Sequence, residues 1–437
     1  MLWLLIFALA HAAPDDTYWA LRDRLDTEFL LPGEDPGDSL PAAHRTDAAG
    51  EIKWADTTVL QGWYLGTLAI EYALLRDGAV DGFGDGRDAQ DTATELALAL
   101  HAVDRLDTFS ADAFPDCQQP GILDGFFVRD DVPADFGVHF DGVTHLESDW
   151  TDSNPWLKEM SQDQAIHLWM GLALVRHFAS DAVVDGVNLG DEAAAAGGRI
   201  GTHVAADGTW LITNPACDDK RVERGADARF FSTGMAAAIA EASGQPAPAE
   251  GLYPDLWEAL RDPSNPGFVN SDNRHMVLAL EGTGDSWADG FGDLLAVSGV
   301  EHWDAYPLVY LALHGTPVGH TADLQALDTR VWTDLQSLGD AEPAATWPDP
   351  ASHPWTTWNR YIRPADEQGA PDEGHQGQRY SGLDYMLLFD LHAAVFRARW
   401  PSGSAKPAAP CGCRTGPPAG WGGLLLAMLL LLRRRAR

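Results

Sequence analysis

Basic residues are scarce in this chain. Lysine and arginine together number 29 against 65 aspartates and glutamates, for a formal net charge of -36. Five arginines (Arg414, Arg433, Arg434, Arg435 and Arg437) sit in an acid-free tail, so residues 13–410 carry 24 basic against 65 acidic residues, a net of -41. Such a field repels phosphate backbones, which excludes nucleic acid as a partner, and it disfavours polyanionic glycans for the same reason. Cysteine is rarer still, at four residues with no metal-ligand spacing. His139, His145, His167 and His302 fall outside any paired zinc spacing, and a phosphate-binding glycine loop and a Gly-x-Ser-x-Gly elbow are both missing. Alternating strand-like runs are confined to 136–140 and 209–213, read here as loop decoration.

The two ends differ from the body. Residues 1–12, MLWLLIFALAHA, are apolar and close on Ala10-His11-Ala12, which predicts a secretory signal removed before Ala13. After Trp400 a Pro/Ala/Gly/Ser linker leads to Cys411-Gly412-Cys413, an apolar run at 421–432 and then RRRAR. The run is shorter than the roughly 20 residues of a comfortable membrane span, and the arginines would hold it facing the cytoplasm. This order of parts resembles the myxobacterial C-terminal sorting signal, in which the tail is processed during export to the cell surface. The resemblance implies a sorting role for Cys411 and Cys413; an ordinary C-terminal anchor in the membrane is the competing reading. Either one predicts an exported body at 13–400, a linker with the motif at 401–420 and a hydrophobic tail at 421–437. Export makes a Cys117–Cys217 disulfide the expectation for the two remaining cysteines.

Within the body, apolar and half-apolar helical patterns take turns. Nearly all-apolar segments lie at 54–77, 161–177, 227–243, 273–282, 303–314 and 381–398, and such helices must be covered on most sides. Amphipathic segments at 16–31, 88–107, 189–197, 253–261, 286–297 and 321–337 lie between them. The best-marked start is that of the helix at 161, where Ser161 and Gln164 can form a capping box ahead of Ile166, Trp169, Met170 and Ala173. Twelve alternating helices predict an all-α fold, an (α/α)6 toroid of six hairpins with long loops at one mouth. The loops at 108–158 and 338–379 are longer than mere connections need.

Inner helices of such a ring run the same way, so their starts meet at the mouth. Those starts carry Asp56, Asp163, Asp227, Asp272, Asp304 and Asp384. Cleaving a glycosidic bond takes two facing carboxylates, which such a mouth could supply. The competing reading is capping, because aspartate suits any first helical turn and the outer helices begin with acids too. Two adjacent acids behind an arginine, Arg129-Asp130-Asp131, could raise one carboxyl into a general acid's range, or could form a salt-bridged turn. Asp130, Asp131, Asp163 and Asp384 are therefore the candidate catalytic acids and bases. Arg129, Asp56 and the rings of Trp54, Trp150 and Trp358 are candidates for holding a sugar, whose flat C–H faces stack on aromatics. The stretch DGFGDGRDAQD at 81–91 has the composition of a calcium loop, but its acids miss the EF-hand positions, so a solvated turn competes and no cofactor is required.

The layout resembles the six-hairpin glycosidase superfamily, and FFVRDDV, MSQDQ and SGLDYMLLFDLH resemble stretches of large exported bacterial proteins. The resemblance covers pattern over 16–400 and implies a polysaccharide hydrolase or lyase with an acidic site at the mouth of the inner helices. No catalytic signature of a single glycosidase family matches. The expectation is a cell-surface protein acting on a neutral glycan, most simply a glycoside hydrolase; the alternative is a surface protein that binds glycans or a partner without cleaving.

Overall fold

A computed structural model describes residues 14–54, 57–80, 83, 86–116, 118–153, 157–205, 240–244, 276, 279–280, 290–301, 304–340 and 379–399. All of them fall in the first of two compact units, Met1–Ser402 and Gly403–Arg437. The described residues are 62% helix with few strands, so the all-α expectation holds. In chain order the helices are α1 (Pro14–Arg24), α2 (Thr57–Asp77), α3 (Ala89–Ala113), α4 (Gln162–Phe178), α5 (Leu189–Ala205), α6 (Gly290–Glu301), α7 (Ala305–His314), α8 (Thr321–Asp340) and α9 (Leu383–Val395). Of the remaining expected helices, 227–243 is described only at 240–243 and 273–282 only at 276 and 279–280, all helical; 253–261 lies outside the described residues.

Burial follows the alternation. Every side chain of α2 from Thr57 to Leu74 is buried, as is every one of α9 from Leu383 to Ala393. By contrast α3 buries one stripe that includes Leu96, Ala99, Leu100, Val103 and Leu106, and α8 buries Leu327, Val331 and Leu335. The strands depart from expectation. Residues 136–139 form a 3-10 turn, and the 209–213 run lies outside the described residues. A three-stranded sheet forms instead from β1 (His44–Thr46), β2 (Glu51–Trp54) and β3 (His145–Ser148), with β2 antiparallel to β1 and parallel to β3. Trp54 therefore ends a strand, and α2 starts three residues later than the helix expected at 54–77. Ile52 and Trp54 are buried while Glu51 and Lys53 are half-buried, a period of two.

Glycines set how the central helices meet. A Cβ on Gly62 would overlap the His167 carbonyl and one on Gly171 would overlap that of Gly62, so α2 and α4 touch backbone to backbone. One turn further, Gly66 faces Leu174 on one side and Leu387 on the other. The Tyr18 hydroxyl then joins Glu71 of α2 to Asp390 of α9. Contacts that advance together in this way mean that α4, α2 and α9 are parallel, with α2 in the middle. In the last turns of α4 and α7, His177 lies near enough to His314 to feel its charge, which gives α7 the same direction. Gly62→Leu should thus destabilise the protein at or above the usual overpacking range, by about 3 kcal/mol, since the obstacles are backbone and not movable side chains. A chemical denaturation midpoint unchanged from wild type would contradict the contact.

Polar links join the C-terminal ends of these helices. Arg76 reaches Asp181 just past α4 at 2.6 Å, Arg176 donates to the Glu241 carbonyl at 2.6 Å, and His314 bonds the Ala279 carbonyl at 3.1 Å. Arg397, just past α9, returns to Asp77 at the end of α2 at 3.2 Å. The first helix packs against the last two. Leu21 of α1 sits against Gly382, whose φ of 78° and lack of a Cβ admit it at the start of α9.

Candidate functional site

The parallel arrangement puts the starts of α2, α4, α7 and α9 at one end of the molecule. Asp384, in the first turn of α9, is 1% exposed. The Tyr380 hydroxyl donates to its Oδ1 at 2.7 Å, while Oδ2 has no partner among the described residues. Burial raises its carboxyl to about 7, against the lowering effect of the Tyr380 hydroxyl and the Tyr385 amide. A helix N-terminus favours an anion by typically 0.3–1 kcal/mol, whereas a shift of roughly three pKa units is about 4 kcal/mol. Desolvation wins, and near neutral pH this carboxyl can either donate or accept a proton. Close by in sequence, the buried Ser381 Oγ likewise has no partner among the described residues, nor do Thr57 Oγ1 and Thr58 Oγ1 at the start of α2. Hydroxyls buried without partners are costly unless water or a ligand satisfies them.

The other helix starts are more committed. Asp163, half-buried in the first turn of α4, accepts from Ser161 Oγ, while Gln164 Oε1 accepts the Ser161 amide at 3.2 Å. Its own carbonyl binds His167 Nδ1 at 2.7 Å, and the His167 ring stacks at 6.4 Å on Trp63. Asp304, ahead of α7, is gripped by Arg330 through two bonds of 2.6 Å. Next to it Asp334 of α8 is raised to about 7, by burial first and by the Asp304 charge second. The Tyr385 hydroxyl donates to the Leu335 carbonyl at 3.2 Å, which ties the end of α8 to the start of α9.

Asp130 and Asp131 do not form a like-charge pair. Asp130, fully buried, accepts backbone amides from Val132 at 3.1 Å, Asp149 at 2.7 Å and Trp150 at 3.3 Å. Burial raises its carboxyl well above the usual range. Asp131 turns the other way, accepting from Gly37 at 2.9 Å and pairing with Arg105. Both act as loop clamps, Asp130 through backbone amides and Asp131 through Arg105 of α3, so the two carboxyls serve different neighbours. Arg129 donates to the Glu159 carbonyl at 2.7 Å and lies 3.9 Å from Asp149. Trp54 is a core residue: it is 0% exposed, packs on Phe136 and Phe140, and donates to the Leu40 carbonyl at 2.9 Å. Trp150 is half-buried, with its ring against Phe109 and Lys158 Nζ 4.9 Å from its centre.

Asp56, Trp358, Cys117, Cys217, Cys411 and Cys413 lie outside the described residues, as do Asp227 and Asp272. In the calcium-like stretch, Asp88 caps α3 in a box closed by Asp91, and Arg87 pairs with Asp26 and Glu95, so these groups serve the helix start. A His/Glu/Glu group that the sequence spacing hides is formed by Glu51, His145 and Glu147, brought together by the β2–β3 register. Lys53 lies 2.7 Å from Glu147 and supplies that group with a cation of its own. No protein-family model, curated protein or solved structure matches the chain.

Proposed function

We propose that this chain is an exported, cell-surface (α/α)6 toroid that hydrolyses a neutral glycan at the end where its inner helices begin, with Asp384 as general acid. The observation that carries this reading is the Asp384 carboxyl itself: buried, poised near neutrality, held by Tyr380 through one oxygen and without a partner among the described residues at the other. Support for the ring comes from the buried and half-buried helices taking turns, the shared direction of α2, α4, α7 and α9, the packing of α1 on α8 and α9, and the Arg397–Asp77 link that joins late chain to early chain. Support for export comes from the apolar start and the Cys-Gly-Cys, apolar, arginine-rich end.

Asp163 is the described acid at an inner-helix start best placed to act as the second carboxylate, because Asp304 is occupied by Arg330. Among the described residues no carboxylate acts on the Asp384 carboxyl, which favours, as a second reading, a mouth that binds sugar without cleaving it. A panel of neutral oligosaccharides, assayed for new reducing ends with wild type and Asp163→Asn, separates the two. Cleavage that falls in the variant supports hydrolysis, binding without product supports the second reading, and neither binding nor cleavage on any member rejects the carbohydrate assignment.

A further inference from the structure

Toward the C-terminal ends of α2 and α9, a second acidic group lies mostly inside the protein, where the first and last of the described helices, α1 and α9, meet. Three carboxyls, Asp26, Glu71 and Glu95, share two guanidiniums, Arg22 and Arg87, and a fourth, Asp390, joins them through the Tyr18 hydroxyl. Arg22 bonds Glu71 through Nε at 3.0 Å and Asp26 through Nη1, while Nη2 lies 2.7 Å from Glu95 as an ion pair without hydrogen-bond alignment. Arg87 takes Asp26 at 2.7 Å and Glu95 at 2.5 Å. Among the described residues no cation pairs with Asp390, although the Arg22 charge lies near enough to oppose part of the rise in its carboxyl. Its Oδ2 lies 3.2 Å from the Tyr18 hydroxyl, and its Oδ1 has no partner among the described residues.

The proton count decides its state. Tyr18 has one hydroxyl hydrogen, and its 2.7 Å contact to Glu71 Oε2 uses it. The Tyr18 oxygen can then serve Asp390 only as an acceptor, which requires Asp390 to carry the proton and donate it. An ionised carboxylate there would be buried, unpaired and next to Glu71, a cost of several kcal/mol. Burial first, and the Glu71 charge second, push the Asp390 carboxyl well above the ordinary range. The other elements packed on α9 bring no relief: α8 offers Asp328, which pairs with His392 and Arg399, and α7 offers two tyrosines and His314, the last bonded to the Ala279 carbonyl.

We propose that Asp390 is a proton-operated latch that holds the first helix against the last: as the neutral acid it bonds the Tyr18 hydroxyl and fastens α1 to α9, and loss of that proton releases α1. The latch is independent of any glycan chemistry. Opening lets an ordinary carboxyl ionise, so each opening event releases one proton, and the opening equilibrium rises about tenfold per pH unit above a normal carboxyl pKa. Hydrogen exchange of α1 in the full-length protein, corrected for intrinsic rates and followed from about pH 5 to pH 8, reads this directly. Asp390→Asn, whose amide can donate to Tyr18 without titrating, should lower the slope of α1 protection against pH by one decade per unit. Equal slopes in wild type and variant overturn the proposal. Should the variant not fold, infrared difference spectra of the wild type decide instead: a carboxylic-acid C=O band lost in step with α1 protection supports the latch. Loss of protection with no such band overturns it.

Discussion

Replacing Arg22 by methionine should lower the free energy of unfolding by about 3–5 kcal/mol, the range for removing one partner of a buried ion cluster. Arg22 is buried on α1 and pairs with Glu71 of α2, Glu95 of α3 and Asp26 in the turn that follows α1, and the less buried Arg87 meets the same three carboxyls from further out. Without it Glu71 keeps hydroxyl donors from Tyr18 at 2.7 Å and Thr92 at 2.6 Å, and a cation no nearer than Arg87 at 4.0 Å. Arg22→Lys should also destabilise, by less, because an ammonium cannot serve three carboxylates from one fork. Chemical denaturation followed by circular dichroism measures both. A cost below about 1 kcal/mol for the methionine variant, the scale of an exposed pair, would mean the cluster is far wetter than its burial implies.

Asp384→Asn should reduce glycan turnover by about 10²–10⁴-fold, the usual contribution of a positioned general acid. Wild-type turnover should fall as pH rises through about 7, where the carboxyl loses its proton. Stability should move in the same direction. A carboxyl raised from its unfolded value contributes stability that is fully present below about pH 4 and lost as pH rises through the folded value. The asparagine variant should therefore lose less stability than wild type between about pH 5 and pH 8, the window that brackets the Asp384 titration. Wild-type kcat in the variant, with an unchanged pH profile, would remove Asp384 from the chemistry; melting profiles that match across that window would remove it as a buried acid.

Much of the fold was legible because burial leaves a periodic trace. The near-continuous apolar runs of α2, α4, α7 and α9 and the single stripes of α3 and α8 announced which helices would be covered on all sides. Short strands left weaker traces. Ile52-Lys53-Trp54 alternates over too few residues to stand out beside the helix that follows, and the sheet it joins depends on β3, far away in sequence. Val183-Val184-Asp185-Gly186-Val187 did carry a hairpin signal: Asp185 and Gly186 adopt φ of 50° and 85°, the positive pair that a tight two-residue turn requires.

The candidate site was half legible. Aspartate at a helix start could be read from the sequence, and Asp384 and Asp163 do stand at the same end. Which acid would be poised and which consumed depended on three-dimensional partners. Asp131 meets Arg105 from α3 and Gly37 from an early loop, and Asp130 meets amides nineteen residues away. Tyr380 was readable in principle, four residues before Asp384 and one helical turn from it. Glu71 and Asp390 appeared only as exceptions in apolar helices, and nothing in their spacing placed them on the same tyrosine.

The central claim is that one end of the helix array, where α2, α4, α7 and α9 begin, is the mouth that receives a neutral glycan. Hydrogen exchange of the full-length protein with and without a saturating oligosaccharide tests it most directly. The account predicts slowing in the first turns of α2, α4 and α9 together, with the rim that links Arg76, Arg176 and His314 unaffected. Slowing confined to that opposite rim, or none at saturation, would contradict it.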